Sequence, residues 1–322
     1  GLGWAWLGGF LLSEARARGK RAASQNTEHL LEDLVMTEVW TPQRAANRLV
    51  KLAEVFSAAH GVDRFPVEVP PLAFEAARIF GWSDPITQVQ AANIKSFDGA
   101  LFPDDGRKEW LLLYNEAVLS PGRIRFTQAH ELGHYILHRQ VRESFQCSDA
   151  DMLNWSKDDK DIEGQADLFA SYLLMPLDDY RRQITATVDL DLLGHCANRY
   201  GVSLTAAILK WLQYTDEKAV LVMSNDGFIN WAWSSEPAAK AGAFFRTRNS
   251  VIPVPEEAIA SNADIRHDRP GTQIPASVWF PHADTDTPLR EMKIHAEKYG
   301  VVLSLLHLPR SADVWPQWPR EE

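Results

Sequence analysis

An α+β fold is predicted for this 322-residue chain, and three observations predict it. Helical periodicity dominates from Thr41 to Leu212, interrupted by one strand pair, Asp98–Phe102 with Trp110–Asn115. From Ala219 onward the apolar residues alternate or cluster in short runs around turn signals instead, which implies a β-rich C-terminal region to about Leu308. A helix-turn-helix-like pair closes the helical regime.

The expected organisation is an N-terminal extension over residues 1–35, a main domain over 36–186 that holds the motifs described below, and a helical segment over 187–216. A β-rich region over 217–310 and a loose tail over 311–322 follow. The opening apolar run Leu2–Leu12 is too short to span a bilayer and has no basic residue before it, so it reads as neither anchor nor signal. Met36 begins a more ordinary stretch and is a plausible alternative start.

Thr41 as N-cap with Pro42 behind it predicts a helix to about Ala59, ending near Gly61, with Ala45, Leu49, Leu52, Ala53 and Phe56 facing inward. Phe65–Pro71 reads as extended, and Leu72–Phe80 as a short helix closed by Gly81. The strand pair at Asp98–Asn115, turned by Pro103-Asp-Asp-Gly106, leads to the next helix. A strand at the edge of such a sheet can hold an extended peptide by strand addition, and that role is expected here beside the following helix, with a sheet that simply covers one face of the helix as the equal alternative.

That next helix carries the chemistry. Within Ile124–His138 stands His130-Glu131-Leu-Gly-His134, and residues four apart on a helix lie about 6 Å apart along the axis and about 40° apart around it. Both imidazoles therefore leave one face and can share a cation. Glu131 points to the neighbouring rim, where a carboxylate can take a proton from a water without binding the metal itself. His138 lies about 12 Å along the axis from His130 and about 80° around from it, so it is expected in a structural or supporting role.

A catalytic zinc wants a third protein ligand. A third histidine six residues beyond His134, with Gly three residues before it, would mark another peptidase class, but Gln140 and Leu137 stand there. Glu163, in the run Ile162–Met175 that ends at Pro176, is the better candidate. Asp167 shares its face and can hold the far nitrogen of a ligand histidine. Ala166, Ala170 and Leu173 fall on roughly the same side, small enough at first to let the two helices close up. Asp158, Asp159 and Asp161 read as a solvated acidic loop before this helix.

Arg123-x-Arg-Phe-Thr-x-Ala-His-Glu-Leu-Gly-His134, followed by Glu163-x-x-Ala-Asp-x-Phe-Ala-x-x-Leu-Leu-Met-Pro176, resembles the ImmA/IrrE family of metallopeptidases. The resemblance implies a thermolysin-like core, zinc ligands at His130, His134 and Glu163, and a catalytic Glu131. It also implies a bacterial regulatory protease that cuts helix-turn-helix repressors.

In the segment Leu190–Gln213, two helices meet at Gly201-Val-Ser203. Ala206, Ala207, Ile208, Leu209, Trp211 and Leu212 leave mainly Thr205, Lys210 and Gln213 to face outward, so packing or protein docking is favoured over DNA reading. His195, Arg199, Tyr172 and Tyr200 are candidates for stabilising an oxyanion. Ala219–Ser224 and Phe228–Ser234 around Asn225-Asp-Gly227 predict a hairpin. Ser277–Phe280, Met292–Ala296 and Val301–Leu308 are expected as further strands, with Tyr299-Gly300 at the last turn. His267, His282, His295 and His307 have no ligand spacing.

A formal charge of −10 argues against a broad phosphate-binding surface, and two cysteines, Cys147 and Cys196, suit free thiols in a reducing cytoplasm. The leading expectation is a zinc endopeptidase that regulates transcription by cleaving a helix-turn-helix repressor. The alternatives are a regulator that binds a repressor or antitoxin without cutting it and, more remotely, a direct DNA-binding protein.

Overall fold

The computed structural model describes residues 40–316, apart from 94–96, 119, 142–144, 148–156 and 249. The apolar opening run, Met36 and the tail from 317 lie outside the described residues. The chain is mixed α+β and divides after Pro176 into two compact units. No helix among the described residues is long and apolar enough to cross a membrane.

In the first unit, helix α1 (Pro42–His60) starts where Thr41 accepts a bond from the Arg44 N–H and stops at Gly61, whose φ is 64°. Its inward face is Ala45, Ala46, Leu49, Val50 and Phe56, with Leu52 and Ala53 only half-buried. Helix α2 (Val69–Phe80) begins three residues before Leu72, because Pro70 and Pro71 occupy the first turn, where a missing N–H costs no helical bond.

A four-stranded sheet follows: β1 (Ile86–Ala92), β2 (Gly99–Pro103), β3 (Trp110–Asn115) and β4 (Phe145–Cys147), in the spatial order β1-β3-β2-β4. β1 runs parallel to β3, whereas β2 is antiparallel to both β3 and β4. The expected hairpin is β2–β3. Its partner β1 was not foreseen, since Ile86-Thr-Gln-Val-Gln90 is more polar than a buried strand usually is. An edge strand for holding peptide is not supplied by either strand of that hairpin, because β3 lies between β1 and β2. Gly99, Ala100 and Leu101 pair with Cys147, Gln146 and Phe145, so β2 is internal, and among the described residues β1 and β4 are the outer strands.

Helix α3 (Pro121–His138) is capped by Ser120, packs on β2 and β3, and lies against α4 (Lys157–Leu174). Helix α4 starts earlier than expected, at Lys157, so the backbone of Asp158, Asp159 and Asp161 is helical rather than a loop. A Cβ on Gly133 would meet the Phe169 ring at 3.0 Å and the Ala166 backbone at 3.2 and 3.3 Å, which shows how closely the two helices approach. The far end of α3 is pinned by the 82–84 loop. The Tyr135 hydroxyl donates to the Asp84 carbonyl at 2.8 Å, and Arg139 lies over the Trp82 ring and bonds the Asp84 carboxylate at 3.2 Å.

In the second unit, α5 (Leu177–Gln183) precedes α6 (Leu190–Tyr200) and α7 (Leu204–Tyr214), the two helices of the expected pair, joined at Gly201 with φ 59°. A six-stranded antiparallel sheet completes the unit in the order β7-β6-β5-β10-β9-β8. Its members are β5 (Lys218–Asn225), β6 (Phe228–Ser234), β7 (Ile252–Pro253), β8 (His267–Pro275), β9 (Pro288–Ala296) and β10 (Val301–Leu308). Asp226 and Gly227 turn the β5–β6 hairpin with φ of 50° and 81°, as two-residue hairpin turns require.

Helices α6 and α7 touch this sheet through β8 and β5. A second apolar cluster joins Val220, Val222 and Leu306 with Trp279 and Phe280. The Ser277–Phe280 stretch is therefore not a strand: after a short 3-10 turn its two rings plug that cluster, and Trp279 Nε1 donates to the buried Glu291 at 2.8 Å. β8 escaped notice because Asp268, Pro270 and Gly271 interrupt its pattern, and the register shifts there. The tail is not loose through 316. Ala312 and Val314 are buried, and Trp315 Nε1 donates to the carbonyl of Lys240, the last residue of α8 (Glu236–Lys240).

Candidate metal centre

Every residue of α3 from Gln128 to Ile136 is buried, so its polar side chains must be satisfied inside the unit. The close crossing at Gly133 sets Glu163 of α4 over the imidazole pair. Glu163 Oε2 lies 3.0 Å from His130 Nε2 and 3.2 Å from His134 Nε2, and the two Nε2 atoms are 3.0 Å apart. Among the described residues these three form the one group of His, Cys, Asp or Glu placed to share a metal ion.

The far nitrogens are also engaged. His130 Nδ1 lies 2.8 Å from Asp167 Oδ1, so the carboxylate accepts the Nδ1 proton and leaves the Nε2 lone pair facing inward. His134 Nδ1 lies 3.1 Å from His138 Nδ1, and His138 Nε2 lies 3.4 Å from Gln165 Oε1. Burial pulls the His134 pKa down to about 4, which keeps that ring neutral. Burial works to raise the pKa of Glu163, but its bonds to His130 and His134 outweigh that and hold the carboxyl far below the usual carboxylate range.

The donor set fits a divalent ion. Ligands on a tetrahedral zinc with bonds of about 2.0–2.1 Å are spaced about 3.3 Å apart, close to the separations seen here. Three lone-pair atoms so near one another repel unless a positive centre lies among them; one proton can bridge only one pair, whereas a divalent cation serves all three.

Residues 83–212 match the family profile described as IrrE N-terminal-like domain, of peptidase family M78. This segment is similar to the ImmA/IrrE peptidases. No curated protein sequence matches the chain. Among solved structures, a Mycobacterium tuberculosis transcriptional regulator is similar at 16% identity with a TM-score of 0.48, over 84% of this chain and 82% of that one.

Within the matched segment, Glu131 is fully buried beside β2, where a Cβ on Gly99 would sit 2.6 Å from its Oε1. No local pattern around Gly99 announces that strand contact. Arg199 and Tyr200, considered for an oxyanion, instead bond Asp179: the Arg199 Nε at 2.8 Å and the Tyr200 hydroxyl at 2.8 Å. His195 is exposed on α6, and Tyr172 is half-buried on α4. Lys210, expected to face outward from α7, is 2% exposed, because α7 packs on β5. Its place shows that the apolar face of α7 is wider than the spacing of Ile208, Trp211 and Leu212 implied. The long bond from His138 to Gln165 was also missed, although His138 follows His134 at the helical interval of four.

Proposed function

We propose that this protein is a zinc-dependent endopeptidase with His130, His134 and Glu163 as metal ligands, Glu131 as general base and a thermolysin-like arrangement of helix and sheet. The observation that carries the reading is the convergence of two imidazole nitrogens and one carboxylate oxygen within 3.0–3.2 Å, with a fully buried glutamate next to the first ligand. A divalent zinc held there supplies Lewis acidity toward a carbonyl and makes water a stronger acid. Asp167 keeps the His130 ring in the tautomer that presents Nε2. Glu131 takes the proton from the attacking water on a carboxylate oxygen and passes it to the leaving amine, a transfer typically worth about 10²–10⁴ in rate. A purely structural metal site would have no use for that buried acid.

The substrate we propose is a helix-turn-helix repressor, so that cleavage relieves transcriptional repression in a bacterial cytoplasm; the family resemblance supports this. The test is incubation of purified protein with the product of a neighbouring helix-turn-helix gene, with and without added zinc, followed by intact-mass spectrometry. Discrete zinc-dependent fragments are expected, and Glu131→Gln should bind zinc while producing none. Fragments of equal yield from that variant would remove Glu131 from the mechanism, and an intact partner under all conditions would remove the repressor as substrate.

A further inference from the structure

The two imidazoles of the centre are supported differently. His130 leans on a carboxylate, Asp167, on the opposite helix. His134 leans on another imidazole one turn along its own helix, which in turn reaches an amide on α4. We propose that His138 is a positioning residue for the metal centre, acting as the hydrogen-bond acceptor that fixes His134 in its Nδ1–H form, with Gln165 fixing His138.

The assignment rests on the metal-centre reading above and follows from proton counting. His134 turns Nε2 toward Glu163 and His130, so as a ligand its ring proton must sit on Nδ1. That N–H is directed at His138 Nδ1, which must then carry a lone pair. His138 is left with its own proton on Nε2, the atom facing Gln165 Oε1, an oxygen that can only accept. Each donor in the chain meets an acceptor. His134 is fully buried and His138 nearly so, so bulk water does not compete for the Nδ1 proton. An imidazole is a neutral acceptor, so this support adds no negative charge to a centre that already holds Glu163 and Asp167.

The proposal separates positioning from packing through the choice of replacement. Asn places Oδ1 close to where the histidine Nδ1 sits and can accept the same proton; Ala and Leu cannot. Zinc affinity is measured by chelator competition, with cobalt(II) absorption reporting ligand geometry and thermal melting of the zinc-free protein reporting the fold. His138→Ala and His138→Leu are expected to weaken zinc about 10–100-fold and to alter the cobalt spectrum, while His138→Asn recovers to within about threefold of the parent. Gln165→Leu is expected to show a smaller loss, about threefold, in the same direction. Recovery in Leu equal to that in Asn would make His138 a packing residue, and parental affinity in all variants would remove it from the centre. Failure of the underlying reading looks different: the parent itself would bind no zinc, and the inference would go with it.

Discussion

A Cβ built on Gly99 of β2 falls 2.6 Å from Oε1 of Glu131 and 2.5 Å from the Thr127 methyl, so the strand rides directly on the buried acid of α3. Only glycine permits that approach. The contact ties the sheet to the position of the proposed base, which the helix alone would leave to the rotamers of a flexible side chain.

Gly99→Ala is therefore expected to displace the Glu131 carboxylate while leaving the three-ligand cluster in place. Cleavage should fall about 10²-fold, as misplacement of a reacting group by about 1 Å does. Zinc affinity should stay within about twofold, since metal-affecting changes act through the ligands and their supports. Kinetics on a cleaved partner and chelator titration on the same preparation check both halves. A parental rate would show that Glu131 tolerates the shift.

Gly133→Ala tests the helix crossing. The atoms its methyl would meet include the Ala166 Cα and carbonyl oxygen, at 3.2 and 3.3 Å, and a backbone cannot swing aside as a side chain can. Overpacking of this kind costs about 1–3 kcal/mol. Because the same displacement carries Glu163 away from the imidazoles, zinc affinity should drop about tenfold or more. Urea denaturation of the zinc-free protein and chelator competition measure the two losses separately.

Asp179 gives the second unit a pH dependence. Burial alone would raise its pKa, but bonds from Arg199, Tyr200 and Arg182 more than offset this and hold it at about 2. The unfolded value is about 3.9, so the stabilisation is complete above that pH and is lost as the pH falls toward the folded value. Asp179→Asn should cost about 2 kcal/mol at neutral pH. Urea melts between neutral pH and pH 2 should show parent and variant converging at the acid end; a gap that stays constant would exclude the ionised carboxylate as its source.

Lys210 works in the opposite sense. Burial lowers its pKa to about 7, against about 10.4 in an unfolded chain. Between those values the unfolded state holds a proton that the folded state has released, so parental stability should rise with pH across that window, and the cost is fully present below it. Lys210→Met should remove the slope and add roughly 1–3 kcal/mol at neutral pH. Denaturation profiles between pH 7 and 10 check this, and an equally steep rise in the variant would assign the slope to another group.

The site was more legible in the sequence than the sheets that hold it. His130, His134, Glu163 and Asp167 lie on two long helices, where intervals of four translate directly into a shared face, and small residues at Gly133 and Ala166 announce the crossing. Strand pairing carries no comparable signal. Nothing local to Ile86–Ala92 says that it will lie parallel to β3, and nothing in Phe145–Cys147 says that it will take the outer edge of β2. Gly99 could not be recognised as the partner of Glu131 for the same reason. Trp279 and Phe280 read as strand residues because a buried aromatic pair looks alike in a strand and in a plug; the 3-10 turn at Ala276–Val278 tells them apart.

The kinship match stops at residue 212, yet Trp211 and Leu212 are buried and their helix lies on β5, which begins at Lys218. An expression product trimmed to the matched span would keep that helix and discard the sheet that shelters it, exposing an indole and several aliphatic side chains to water. Insolubility of such a truncation would report on where the cut was made rather than on the chemistry upstream, and fragments for assay are better ended past β10.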